Sequence, residues 1–80
     1  MEKLNELEAG DRAIVQNLTS SNDMKQRLWD LGFTVGTPVQ CVQKSPAGDP
    51  VAYKIRSTII AIRNKDAQHI HIKKEGMANG

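Results

Sequence analysis

The sequence predicts a small all-β barrel of about five short strands with one short helix inserted early. Three observations carry this. Apolar and polar residues alternate in short runs, most cleanly Val51-Ala52-Tyr53-Lys54-Ile55 and His69-Ile70-His71-Ile72-Lys73, the period of a half-buried strand. Turn formers separate the runs, densest at Ser45-Pro46-Ala47-Gly48-Asp49-Pro50 and again at Asn64-Lys65-Asp66. A single stretch has helical spacing, between a cluster of capping residues at 20–23 and Gly32.

The 80 residues allow one domain, expected over residues 1–75 with a frayed tail at 76–80. Only 4% of the residues are aromatic, namely Trp29, Phe33 and Tyr53. Aliphatic side chains must therefore fill the core. Leu4 and Leu7, three apart, suit a short turn that packs two leucines onto the barrel. Arg12 to Leu18 reads as the first strand, with Ile14 blurring its alternation. In the helix, Ser20 and Asp23 suggest a capping box. Met24, Leu28 and Leu31 follow at i, i+4 and i+7, on one stripe expected to face the core. Gly32 ends the helix, which at barely two turns must be docked to survive. Phe33 to Gly36 forms a turn and Pro38 to Lys44 a second strand, with Val39 and Cys41 on its core side. Val51, Tyr53 and Ile55 alternate with Ala52, Lys54 and Arg56 as the next strand. Ser57-Thr58 then leads to Ile59-Ile60-Ala61-Ile62-Arg63, the most apolar run. Closing these strands into a barrel would remove exposed strand edges.

Charge and composition exclude several functions. The net charge is +2, too mild for strong attraction to nucleic acid or anionic lipid. With so few aromatics, a base-stacking groove is poorly supported. Residues 1–11 are acidic, whereas Lys54, Arg56, Arg63, Lys65, Lys73 and Lys74 face only Asp66 in their segment; this reads as a solvated basic face. The single Cys41 has no partner for an intramolecular disulfide, which fits a reducing, cytoplasmic setting. No apolar run spans a bilayer, and no signal peptide is expected at the start. His69 and His71 share one strand face, but two imidazoles do not complete a metal site. No phosphate-cradling loop and no nucleophile–base set can be assembled. The expectation is a binding module rather than an enzyme, without metal or cofactor.

Trp29 lies at 100° per residue roughly 130° from the centre of the Met24–Leu28–Leu31 stripe. It is therefore expected on the helix flank or pointing outward, either folded over a neighbouring loop as the edge of the core or exposed as an anchor, with Lys25 beside it at i−4. An exposed aromatic ringed by charge suits a binding anchor. Lys25 and Trp29 form the candidate partner surface. Phe33 either extends it or plugs the barrel end, and Arg56 and Arg63 offer an alternative basic contact.

The run Arg27-Leu28-Trp29-Asp30-Leu31-Gly32-Phe33, followed by Gly36, resembles the helix-and-turn signature of the FeoA family, the bacterial ferrous iron transport protein A. Gly48-Asp49-Pro50 with the strand from Tyr53, and Ile60-Ala61-Ile62-Arg63 followed by Ala67 and Ile70, resemble the family's second half. The likeness runs from Leu4 to Ile72. It implies an SH3-like barrel in the cytoplasm that assists FeoB, the membrane ferrous iron transporter with a cytosolic GTP-binding domain. It carries over no catalytic residue, metal ligand or cofactor. The same domain type also occurs fused to iron-dependent repressors, but this chain has no DNA-binding helices. Ser57 stands where the family usually has glycine, which suggests a less demanding turn here. The alternative reading is a small barrel that binds nucleic acid or a transition metal.

Overall fold

The computed structural model describes residues 2–75; the tail expected at 76–80 falls outside them. The elements are β1 (Glu2–Lys3), a 3-10 turn (Leu4–Glu6), β2 (Arg12–Leu18), α1 (Asn22–Leu31), β3 (Pro38–Lys44), β4 (Val51–Ile55), β5 (Thr58–Ile62), α2 (Asn64–Ala67) and β6 (Ile70–Lys74). The six strands form one antiparallel sheet in the order β1-β6-β2-β3-β4-β5. Pairing slips by one residue at Gln16 in β2 and at Val42 in β3. Such bulges bend a strand and raise its twist, which curls the sheet around its apolar face.

Alternation placed the core of β3, β4 and β6, and the structure decides the face of β2 that Ile14 had left open. Ala13 and Val15 of β2, Val39 and Cys41 of β3, Val51, Tyr53 and Ile55 of β4, and Ile70 and Ile72 of β6 are all buried. Leu4 and Leu7 fold beneath them, and the Tyr53 hydroxyl donates to the Leu4 carbonyl at 3.4 Å. That bond ties the first turn to the sheet's interior. Burial pushes the Tyr53 phenol well above its ordinary range, with smaller contributions from Cys41 and Asp49. It also raises the Cys41 thiol, which behaves as a small apolar side chain.

Five expectations need correction. The barrel is not closed by hydrogen bonds among the described residues: β1 has only two residues and pairs with β6, so β5 ends the sheet with a free edge. Asn64-Lys65-Asp66 is not a plain turn but the start of the short α2. Helix α1 has ten residues, and its cap is Ser21, whose Oγ accepts from the Met24 N–H at 3.4 Å. Leu31 shares the stripe of Met24 and Leu28 yet is 43% exposed, against 2% for Leu28. The helix touches the core through a narrow sector centred on Leu28, and its last turn overhangs. Finally, Ser57 does not relax its turn. Arg56 and Ser57 have φ of 51° and 71°, the two positive values of a type I′ hairpin loop. The turn is as demanding as one built with glycine.

Candidate functional site

Helix α1 ends where Gly32 turns the chain at φ 111°, a conformation that favours glycine. Its N–H bonds back to the carbonyls of Leu28 and Trp29, and the Phe33 N–H returns to Leu28 O at 2.9 Å. This reversal drives Phe33 into the interior, fully buried. It leaves Trp29 and Leu31 outside on the last turn. The loop continues to Val35, 65% exposed, before Gly36 N–H bonds to Val15 O and returns the chain to the sheet.

Arg56 reaches this loop from the β4–β5 turn. Its Nη2 donates to Thr34 Oγ1 at 3.1 Å, and Thr34 Oγ1 lies 2.8 Å from Thr37 Oγ1. With the guanidinium donating to Thr34, the Thr34 hydroxyl is free to donate to Thr37. A Cβ on Gly32 would sit 3.5 Å from Arg56 Cδ and 3.7 Å from Ile55. A side chain at position 32 would therefore meet Arg56 at ordinary packing distance. The arrangement places a fixed cation beside an apolar outcrop of Trp29, Leu31 and Val35.

The predicted contact residues are thus divided. Trp29 is 45% exposed, and Lys25, half-buried one turn earlier, belongs to the same helix face. Arg56 joins them at this end. Phe33 does not, because it is fully buried in the core and presents no surface. Arg63 is exposed but precedes α2 at the other end of β5, more than about 13 Å away by strand rise alone. Leu31 and Val35 were missed. No local signal separated Val35 from Phe33, since both are apolar residues between Gly32 and Gly36 and one is exposed while the other is buried.

A second feature lies on the outer sheet face. Arg12, Gln40, Lys54 and Ile59 are laterally paired across four strands, and Arg12, Gln40 and Lys54 border a shallow groove together with Pro38, Arg56 and Glu75. Among the described residues the ion pairs are Lys44–Glu8 and Lys74–Asp11, both at 3.4 Å, so Arg12, Lys54 and Arg56 have no carboxylate partner there. The Glu8 N–H at 2.9 Å is the main reason the Asp11 carboxyl is held below its usual range, with Lys74 adding to it. His69 and His71 are half-buried, and His71 Nε2 lies 3.3 Å from Thr19 Oγ1. Among the described residues no three His, Cys, Asp or Glu side chains are grouped to hold a metal ion. No helix there is long and apolar enough to cross a membrane.

Residues 2–74 match the FeoA domain family. The chain belongs to that family. Its curated relatives include the Fe(2+) transport protein A/Fe(2+) transporter FeoB fusion protein of Porphyromonas gingivalis, 31% identical over 71 residues that make up 89% of this chain. The chain spans 8% of that protein's length. The solution structure of FeoA from Chlorobium tepidum superposes with a TM-score of 0.88 at 31% identity, covering 94% of this chain and 71% of that one. FeoA from Stenotrophomonas maltophilia, solved as a zinc complex, superposes with a TM-score of 0.81 at 29% identity, covering 94% and 96%. It is described as a prokaryotic SH3 domain protein and a candidate ferrous iron transport activating factor. The present FeoA domain is accordingly an SH3-like fold of a family connected with ferrous iron transport.

Proposed function

We propose that this FeoA domain is a non-enzymatic accessory of ferrous iron uptake, in the cytoplasm, that binds the GTP-binding domain of a FeoB-type transporter. The observation that carries this is the relative in which the FeoA and FeoB portions are one polypeptide. Covalent linkage converts a bimolecular encounter into an intramolecular one at high effective concentration. That arrangement is useful when the two parts work in contact. The surface best suited to the contact is the end of α1. Trp29, Leu31 and Val35 are exposed apolar groups, and Arg56 is held beside them by Thr34. An aromatic anchor supplies affinity in such a patch, and the surrounding charges set orientation.

The test is capture of a detergent-solubilised FeoB-type transporter on the immobilised domain, with and without guanine nucleotide. Wild type should retain the transporter, while Trp29→Ala and Leu31→Glu should lose it with unchanged thermal melts. If both variants bind normally, docking lies on the basic strands from Lys54 to Arg63. If wild type fails to bind in every nucleotide state, the partner assignment fails with it.

A further inference from the structure

Strand β5 is bonded on one side only. It ends the sheet, with β4 as its neighbour. The two-residue turn at Arg56-Ser57 makes Ile55 and Thr58 a hydrogen-bonded pair, and such pairs alternate along an antiparallel ladder. With Ile55 opposite Thr58, Tyr53 opposite Ile60 and Val51 opposite Ile62, residues 58, 60 and 62 bond to β4. The N–H and C=O groups of Ile59 and Ala61 therefore point away from the sheet. Among the described residues nothing hydrogen-bonds to them.

Exposed edges are commonly guarded by a lysine, a proline, a bulge or a covering loop. β5 has none of the first three: its sequence is Thr-Ile-Ile-Ala-Ile and its pairing with β4 is continuous. Ile59 is 62% exposed, and Ile60 is only partly buried against the core.

We infer that β5 pairs antiparallel with β5 of a second copy of this chain, about a twofold axis through Ile60, to form a weak symmetric dimer. In this register Ile59 faces the partner's Ala61 and Ala61 faces the partner's Ile59. All four outward backbone groups of each strand are then satisfied. Ile60 meets its symmetry mate in a non-hydrogen-bonded pair, where side chains approach most closely, and this covers its remaining exposed surface. The charges permit the approach. Lys54 lies in a row with Ile59, the partner's Ala61 and the partner's Ala52, so no cation stands opposite another. Just beyond the strand, Ser57 faces the partner's Arg63. A strand of five residues makes a contact smaller than the roughly 1,200 Å² of a stable interface, so the dimer forms only as concentration rises. The inference is independent of the transporter surface at α1.

The experiment pairs sedimentation velocity from micromolar to millimolar protein with amide hydrogen exchange followed by NMR. The expected result is a rise from monomer to dimer mass, accompanied by slowing of exchange at Ile59 and Ala61. Ile59→Lys puts a charge on the edge, and Ile59→Pro removes one outward donor without touching the β4 ladder. Each should weaken association by about tenfold or more, and Ile59→Lys should keep the wild-type melt. A monomer at every concentration overturns the inference. So does a dimer that forms without protection at Ile59 and Ala61, or one that Ile59→Lys leaves intact.

Discussion

Replacing Gly32 with alanine isolates a backbone effect at the candidate docking surface. Gly32 has φ 111° and ψ 0°, where an L side chain is strained. Space is not the obstacle, because the nearest atom to an added Cβ would be Arg56 Cδ at 3.5 Å and the next belong to Ile55 at 3.7 Å. Both are ordinary contacts, so the cost is conformational, about 1–3 kcal/mol. For a domain of this size each kcal/mol moves the midpoint by about 4–8 °C, so Gly32→Ala should melt roughly 5–20 °C lower. Gly32→Asn should fall between, since asparagine tolerates positive φ better than alanine. Thermal melts by circular dichroism give the order glycine, asparagine, alanine. The same change should loosen the reversal that presents Trp29 and Leu31, weakening capture of the transporter by the surviving folded fraction. A Gly32→Ala midpoint within about 2 °C of the parent refutes the reasoning, and would mean that the chain leaves α1 by a route open to any residue.

Other outcomes follow from the same geometry. Leu28→Ala should cost about 3 kcal/mol in chemical denaturation, while Leu31→Ala on the overhanging turn should cost less than about 1. Equal losses would place Leu31 in the core after all. Ser57→Gly should stabilise the domain by up to about 1 kcal/mol, because glycine adopts positive φ without strain; no gain in the denaturation midpoint would contradict the hairpin geometry. Trp29→Ala should reduce transporter affinity by about 2 kcal/mol in a titration if the residue is an anchor. The depressed Asp11 carboxyl favours the folded state above its unfolded pKa near 3.8. That stabilisation is lost as pH falls through the lower folded value. Asp11→Asn should therefore flatten the acid limb of stability against pH below about pH 4, which acid titration of the melt would show.

Strands were the most legible part of the sequence. Pro38 to Lys44 has its predicted limits, because period-two alternation between turn formers admits few other structures, and the strand from Val51 stops at Ile55, one residue short of its expected end, because Arg56 turns to positive φ. Helix α1 was legible as an element but not in its docking. Periodicity defines a stripe, whereas the burial of Leu28 and the exposure of Leu31 depend on where the sheet stops beneath them. Closure was expected from the number of short strands and tight turns, yet whether the run from Ile59 to Ile62 is central or terminal depends on partners distant in sequence. Of the candidate site, Trp29 was legible through its angle from the stripe. Phe33 was ambiguous because the glycine before it can send the next side chain either way. Arg56 lies beside the helix end through a bond to Thr34, 22 residues away, and a long-range contact of that kind leaves no mark in local sequence.

The chain has one tryptophan and one tyrosine, and the fold sends them to opposite environments. Trp29 stands half in solvent on the outer turn of α1, while Tyr53 is sealed in the interior against the Leu4 carbonyl. The domain therefore carries two intrinsic optical probes with separate subjects. Tryptophan emission should shift to the blue when the α1 end is covered, without any attached dye. The near-ultraviolet signal of the tyrosine should report whether the interior stays ordered. A binding titration and an integrity check can thus be read from the same unlabelled sample, and a blue shift without change in the tyrosine signal would mark occupancy rather than rearrangement.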